Sequence, residues 1–224
     1  MIKKLVTSAL FAGFAAGLIA TALQITLLVP LVLEAELYET GVLIHFADIS
    51  ASMPDIEWEY DWARNGLTVL STAAVYIGFA FMLVAAMAFA QQKNVTITAR
   101  AGILWGLAGA TAFHFALALG LSPELPGMVA AELASRQVWW VGTVVATIAG
   151  LSAIAFGKGW IQWGAGLVVI ALPHLIGAPH PAAFGGSVPP ELAAEFASRS
   201  LGVGAIGWIV LGLLSAHFWL KENR

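Results

Sequence analysis

Imidazoles and carboxylates are the side chains of this sequence best suited to holding a metal ion. There are five histidines (His45, His114, His174, His180 and His217) and thirteen acids, but no cysteine. Disulfides, thiolate ligation and a cysteine nucleophile are thereby excluded. His114 lies about two turns inside an apolar stretch over 101–121. His174 follows Pro173 near the end of another, 160–177, and His180 lies just beyond it. Glu34 and Glu124 stand at the corresponding ends of the stretches 5–33 and 101–121. One depth therefore collects imidazole and carboxylate from three segments, a mixture that suits borderline divalent ions such as Co²⁺, Ni²⁺ or Zn²⁺. The candidate metal set is His114, His174, Glu34, Glu124 and His180. The first two would bind the ion, the glutamates would neutralise it, and His180 would hand it inward. Pro173 would free a backbone carbonyl as a further ligand, as broken helices do in transporters. A lone helical histidine is more often an interhelical hydrogen-bond donor, so agreement in depth carries this reading.

Other chemistries lack their residues. No Asp, Glu, Lys or Arg lies in the middle of an apolar stretch, where proton relays and pumps place them. A Walker loop is missing, because Gly157-Lys158 follows Gly150 at the wrong spacing and Gly159 replaces the Ser or Thr. No HExxH, catalytic Ser/His/Asp order or paired catalytic carboxylate appears. An enzyme and a resident cofactor are not expected.

The elements that must position these groups are membrane spans. Of 224 residues, 60% are hydrophobic and only 10% charged, with a mean hydropathy of +0.87. Soluble domains run at about 45–50% apolar and about 25% charged, so this is an integral membrane protein. A net charge of −3 gives no basic stripe for a nucleic acid. Six uncharged stretches fit the roughly 30 Å hydrocarbon layer: 5–33, 65–92, 101–121, 138–157, 160–177 and 201–220. The first, preceded by Lys3 and Lys4, is too long for a signal-peptide core and is read as a span. An acidic outer loop, 34–64, follows it, and the whole forms one membrane domain.

Charge placement orients the spans. With six crossings and both termini cytoplasmic, Lys3, Lys4, Lys93, Arg100, Lys158, Lys221 and Arg224 lie inside. Arg64, Arg136 and Arg199 lie outside with twelve of the thirteen acids. Such a bias follows the positive-inside rule. Five crossings would carry Lys221 and Arg224 outside. Tryptophans agree, with Trp58, Trp62, Trp139 and Trp140 at outer helix starts and Trp105, Trp160, Trp163 and Trp219 near inner ends; Trp208 is mid-span.

Internal similarity suggests three helical hairpins on one plan. Ala131-Glu-Leu-Ala-Ser-Arg136 and Ala194-Glu-Phe-Ala-Ser-Arg199 match at five of six positions, and Asp61-Trp-Ala-Arg64 is a looser counterpart. A shift of 90 residues takes Gln24 to His114 and Glu34 to Glu124. Parallel repeats place a pathway or site between them. Glu132/Arg136 and Glu195/Arg199 are spaced i, i+4, the spacing of an interfacial anchor pair. Gly13/Gly17 and Gly102/Gly106 let helix backbones approach closely.

Several blocks carry a family resemblance. They are Gly13-Phe-Ala-Ala-Gly17 through Gln24 to Pro30-Leu-Val-Leu-Glu34-Ala-Glu36-Leu-Tyr38-Glu39, His114-Phe with Ser122-Pro-Glu-Leu-Pro-Gly127, Arg136-Gln-Val-Trp-Trp140 and Pro173-His-Leu-Ile-Gly-Ala-Pro179. Together they resemble the CbtA family of cobalt transporter subunits over nearly the whole chain. The resemblance implies a bacterial inner-membrane component of cobalt uptake for cobalamin synthesis, acting with a small one-span CbtB subunit. It also implies five spans, where the charge count gives six. The expected function is divalent cobalt uptake as a permease or permease subunit, with Co²⁺ or Ni²⁺ as cargo and an oligomer allowed. The alternatives are a non-transporting membrane scaffold for a partner protein and a channel for a small organic solute.

Overall fold

The computed structural model describes residues 1–45 and 61–223, and among them the fold is helical. Seven helices follow one another: α1 (Ile2–Leu27), α2 (Val29–Glu39), α3 (Trp62–Gln92), α4 (Ala101–Ala118), α5 (Leu133–Phe156), α6 (Trp160–Ile176) and α7 (Pro190–Glu222). Five of them, α1, α3, α4, α5 and α7, are long and apolar enough to cross a membrane, whereas α6 has 17 residues.

The first expected span, 5–33, is two helices rather than one. Pro30 sits in the first turn of α2 and cannot donate to the carbonyl four residues back, so the ladder breaks at Leu28. Part of the expected loop 34–64 is therefore helical, since α2 runs to Glu39 and α3 begins at Trp62. The acids Asp48, Asp55, Glu57 and Glu59, with Trp58, lie outside the described residues. At the far end of the sequence, α7 starts at Pro190, well before the expected 201.

Small residues decide which helices touch. Gly17 faces the Ala73 backbone on α3, and a Cβ there would come within 2.8 Å of the Ala73 Cα. Gly102 and Gly212 bring α4 against α7, and a Cβ on Gly102 would lie 2.5 Å from the Gly212 carbonyl oxygen. Gly150 and Gly166 do the same for α5 and α6, at 2.5 Å from the Gly166 oxygen. The close pairs are thus α1 with α3, α4 with α7, and α5 with α6, with α7 also lying along α1. Of the three sequence hairpins, the first packs its two arms along their length, and the second brings its arms together where α4 ends, through Phe113 and Trp140 at 6.0 Å and Leu117 with Trp139.

Three apolar clusters result, one of them Leu117, Trp139 and Val144, where the end of α4 meets α5. The main one lies among α1, α3, α4 and α7, around Tyr76, Met87, Trp208 and Leu211. Trp208 is 2% exposed, stacks on Phe113 at 5.3 Å and meets Phe79 at 4.7 Å. A smaller cluster of Leu31, Ala35, Leu125, Val188 and Leu192 joins α2, the α4–α5 and α6–α7 loops and the start of α7. Backbone bonds from Val129 N–H to Gly185 O and from Ser187 N–H to Gly127 O, both 3.1 Å, tie those loops together. Among the described residues, that end of the bundle carries every acid but Glu222, and the opposite end carries the lysines. Lys4 Nζ donates to Asn223 Oδ1 at 3.5 Å there, and Trp219 Nε1 to Gln91 Oε1 at 2.8 Å.

Candidate functional site

The two central candidate histidines occupy different seams. His114 lies in a π-helical turn, Thr111–Phe115, set into α4. Such turns insert one residue into the helical ladder and recur at functional sites. Its ring packs over Gly204 of α7, where a Cβ would lie 3.1 Å from both Cε1 and Nδ1, and stands edge-on to Trp208 at 6.5 Å. Glycine at 204 is what gives the imidazole room.

His174 belongs to the α5–α6 seam. Trp139 Nε1 donates to the Pro173 carbonyl at 3.0 Å, and the Trp139 and His174 rings meet edge-on at 5.9 Å. Among the described residues His174 Nε2 is buried with no hydrogen-bond partner. His180 is exposed beyond the helix, with its ring 5.8 Å from that of Phe184.

The glutamates divide in a similar way. Glu34 is half-buried on α2. Glu124 accepts from Arg136 Nη2 at 2.6 Å, a pair about a quarter exposed. Arg136 therefore reaches across the α4–α5 loop rather than along its own helix to Glu132. Glu132 instead caps α5, accepting from the Ser135 hydroxyl at 2.7 Å, from Ser135 N–H at 2.7 Å and from Ala134 N–H at 2.9 Å. These bonds, the Ser135 hydroxyl foremost, hold its carboxyl below the usual carboxylate range. Arg199 pairs with Glu195 as the i, i+4 spacing predicts. It also donates to the Leu27 carbonyl at 3.4 Å, at the break between α1 and α2. Arg64 clasps Glu36 through two bonds of 2.8 and 3.0 Å. Each hairpin's arginine thus holds a carboxylate at the acidic end.

Among the described residues, no three His, Asp or Glu side chains form a group able to hold a metal ion. One imidazole per seam is what the fold supplies. Thr143 and Thr147, one and two turns along α5 from Trp139, were not singled out by the sequence, which marked Trp139 only as an interfacial tryptophan and part of a family block. Their available signal was one-turn spacing on a single face of α5. Gln24, the residue that a 90-residue shift takes to His114, accepts from the Thr72 hydroxyl at 3.0 Å between α1 and α3.

Five long apolar helices, buried glycine contacts and charge confined to the two ends define a multi-pass helical membrane protein. The chain matches the family described as probable cobalt transporter subunit (CbtA) over residues 2–220. It belongs to that family, whose description supports a transport role. No curated protein and no solved structure matches it.

Proposed function

We propose that this protein carries divalent cobalt inward across the bacterial inner membrane, as a permease or permease subunit, and supplies cobalamin synthesis. The observation that carries the reading is His174. A buried imidazole nitrogen without a protein partner, at the acid-bearing end of the bundle, is an available donor for a borderline divalent ion. His114 offers a second imidazole at the α4–α7 seam, so the ion passes between single donors rather than settling in a closed site. Glu34 neutralises it, Glu124 does so on releasing Arg136, and exposed His180 hands it inward. A small one-span subunit of the CbtB kind supplies further donors.

Six crossings with both termini cytoplasmic support this direction of travel. Helix α6 has 17 residues and lies antiparallel along α5, from Gly166 beside Gly150 to Pro173 beside Trp139. At about 1.5 Å per residue it covers about 26 Å, near the hydrocarbon thickness. A membrane potential of about −100 mV then favours inward movement of a divalent cation by about 4.6 kcal/mol, more than three decades of accumulation. Neither ATP nor a proton relay is required.

Cobalt accumulation in cells producing the wild type or the His114→Ala/His174→Ala variant tests the reading. Uptake in the double variant is expected to fall to background; wild-type uptake would reject these donors. The second reading, a non-transporting scaffold, draws on the lack of a three-donor group among the described residues. It predicts co-purification with a partner chain and no Co²⁺ bound at micromolar concentrations.

A further inference from the structure

We propose that the α5–α6 seam is a cation station of its own, in which His174 Nε2 takes the ion directly while the Thr143 and Thr147 hydroxyls hold waters it retains. This rests on His174 as a cobalt donor and adds two residues to that role.

Register places the threonines beside the histidine. Trp139 on α5 meets Pro173 and His174 on α6, and Gly150 meets Gly166 and Ile170 further along. Thr143 is one turn from Trp139 on the same face, between those two contacts, and Thr147 is one turn further. Both are 0% exposed. Their hydroxyls, like His174 Nε2, have no hydrogen-bond partner among the described residues.

The Ser8, Ser200 and Ser215 hydroxyls are also buried without a partner, but among the described threonines the pattern is confined to this seam. Thr21, Thr68 and Thr111 each return the hydroxyl to the carbonyl one turn back, at 2.8, 2.9 and 2.8 Å. Thr143 and Thr147 do not. A helical threonine in an apolar layer has that local bond at hand, and leaving it unmade in two successive turns leaves polar groups to be satisfied by something else. Buried groups of this kind are met by ordered water or by an ion with its waters. Pro173 adds an acceptor, because its missing N–H deprives the Val169 carbonyl of its helical donor.

The donor set selects the ligand. One imidazole nitrogen favours Co²⁺ or Ni²⁺ over Mg²⁺. Neutral hydroxyls act on bound water rather than on the metal, so the ion is held weakly enough to leave, as conduction requires.

The test compares cobalt uptake by cells producing the full chain as wild type, as Thr143→Val/Thr147→Val or as Thr143→Ser/Thr147→Ser, each divided by its amount in the membrane. Valine keeps the shape and removes the hydroxyl; serine keeps the hydroxyl. The valine pair is expected to lose about tenfold and the serine pair to transport like wild type. Wild-type uptake by the valine pair would overturn the station, and so would equal losses in both pairs, which mark packing alone. Should the valine pair fail to accumulate, Thr143→Val alone carries the same expectation. A wild type that does not raise uptake above cells lacking the protein, or a silent His174→Ala, would instead refute the cobalt reading on which the station rests.

Discussion

Replacing Gly102 with alanine tests whether glycine contacts hold α4 on α7. The added Cβ would lie 2.5 Å from the Gly212 carbonyl oxygen and 3.0 Å from the Ala216 Cβ. Ordinary carbon contacts are about 3.5–4.0 Å, so the helices must part by roughly 1 Å. Backbone atoms, unlike a flexible side chain, cannot swing aside. Overpacking of this kind costs about 1–3 kcal/mol, while alanine in a helix regains about 0.5–1 kcal/mol over glycine. Gly202→Ala on α7 is the control, because nothing lies within 4 Å of a Cβ there; only the regained part applies to it. The two variants should therefore differ by about 1–3 kcal/mol, or very roughly 2–12 °C in melting temperature. Intrinsic fluorescence of the nine tryptophans during heating in detergent provides the assay. A Gly102→Ala protein that melts at or above Gly202→Ala would refute the close α4–α7 contact, and with it the placing of His114 over Gly204.

Three further outcomes follow from particular bonds. Thr72→Val removes the hydroxyl that Gln24 accepts from and should cost about 0.6 kcal/mol, at most about 1.7, in thermal unfolding, with Thr72→Ser largely restoring it; an unchanged Thr72→Val would count against the bond. Arg136→Gln frees Glu124 and should lower the Co²⁺ concentration giving half-maximal uptake, whereas a higher one would remove Glu124 from the path. Glu132 has its carboxyl depressed by its cap bonds, so its contribution is present above the unfolded carboxyl pKa, about 4.3, and is lost as pH falls through the lower folded value. Melting curves should accordingly show the stability gap between wild type and Glu132→Gln narrowing below about pH 4, and a gap that ignores pH would contradict the capping role.

Depth within the layer could be read by counting residues; position around the bundle could not. His114 and His174 share a level by the count, yet the glycines of α4 and α5 turn them into separate seams, and no periodicity in either helix specifies which neighbour its small residues will find. Pro30 was visible as a break signal, but Leu28 and Val29 beside it are as apolar as a continuing span, so hydropathy ran across the interruption. Arg136 shows the limit of spacing rules: i, i+4 finds Glu132 along the helix, while the partner it takes is 12 residues away, across a loop whose path depends on Leu125 and Val188 burying together. For Arg199 the same rule succeeds, because Glu195 lies on the same continuous helix. The π-turn that carries His114 has no composition of its own. Apolar length, by contrast, marked where helices lie, since a membrane leaves the backbone few other ways to satisfy its polar groups.

The contact between Arg199 and the Leu27 carbonyl joins residues 172 positions apart. At about 5–20 residues per second of synthesis, roughly 9–34 s separate the emergence of one from that of the other. For nearly all of that interval the newly made α2 has no Leu192 or Val188 to cover Leu31 and Ala35. The break between α1 and α2 is therefore translated long before the segment that seals it, and the acidic cap closes only once the start of α7 has been made.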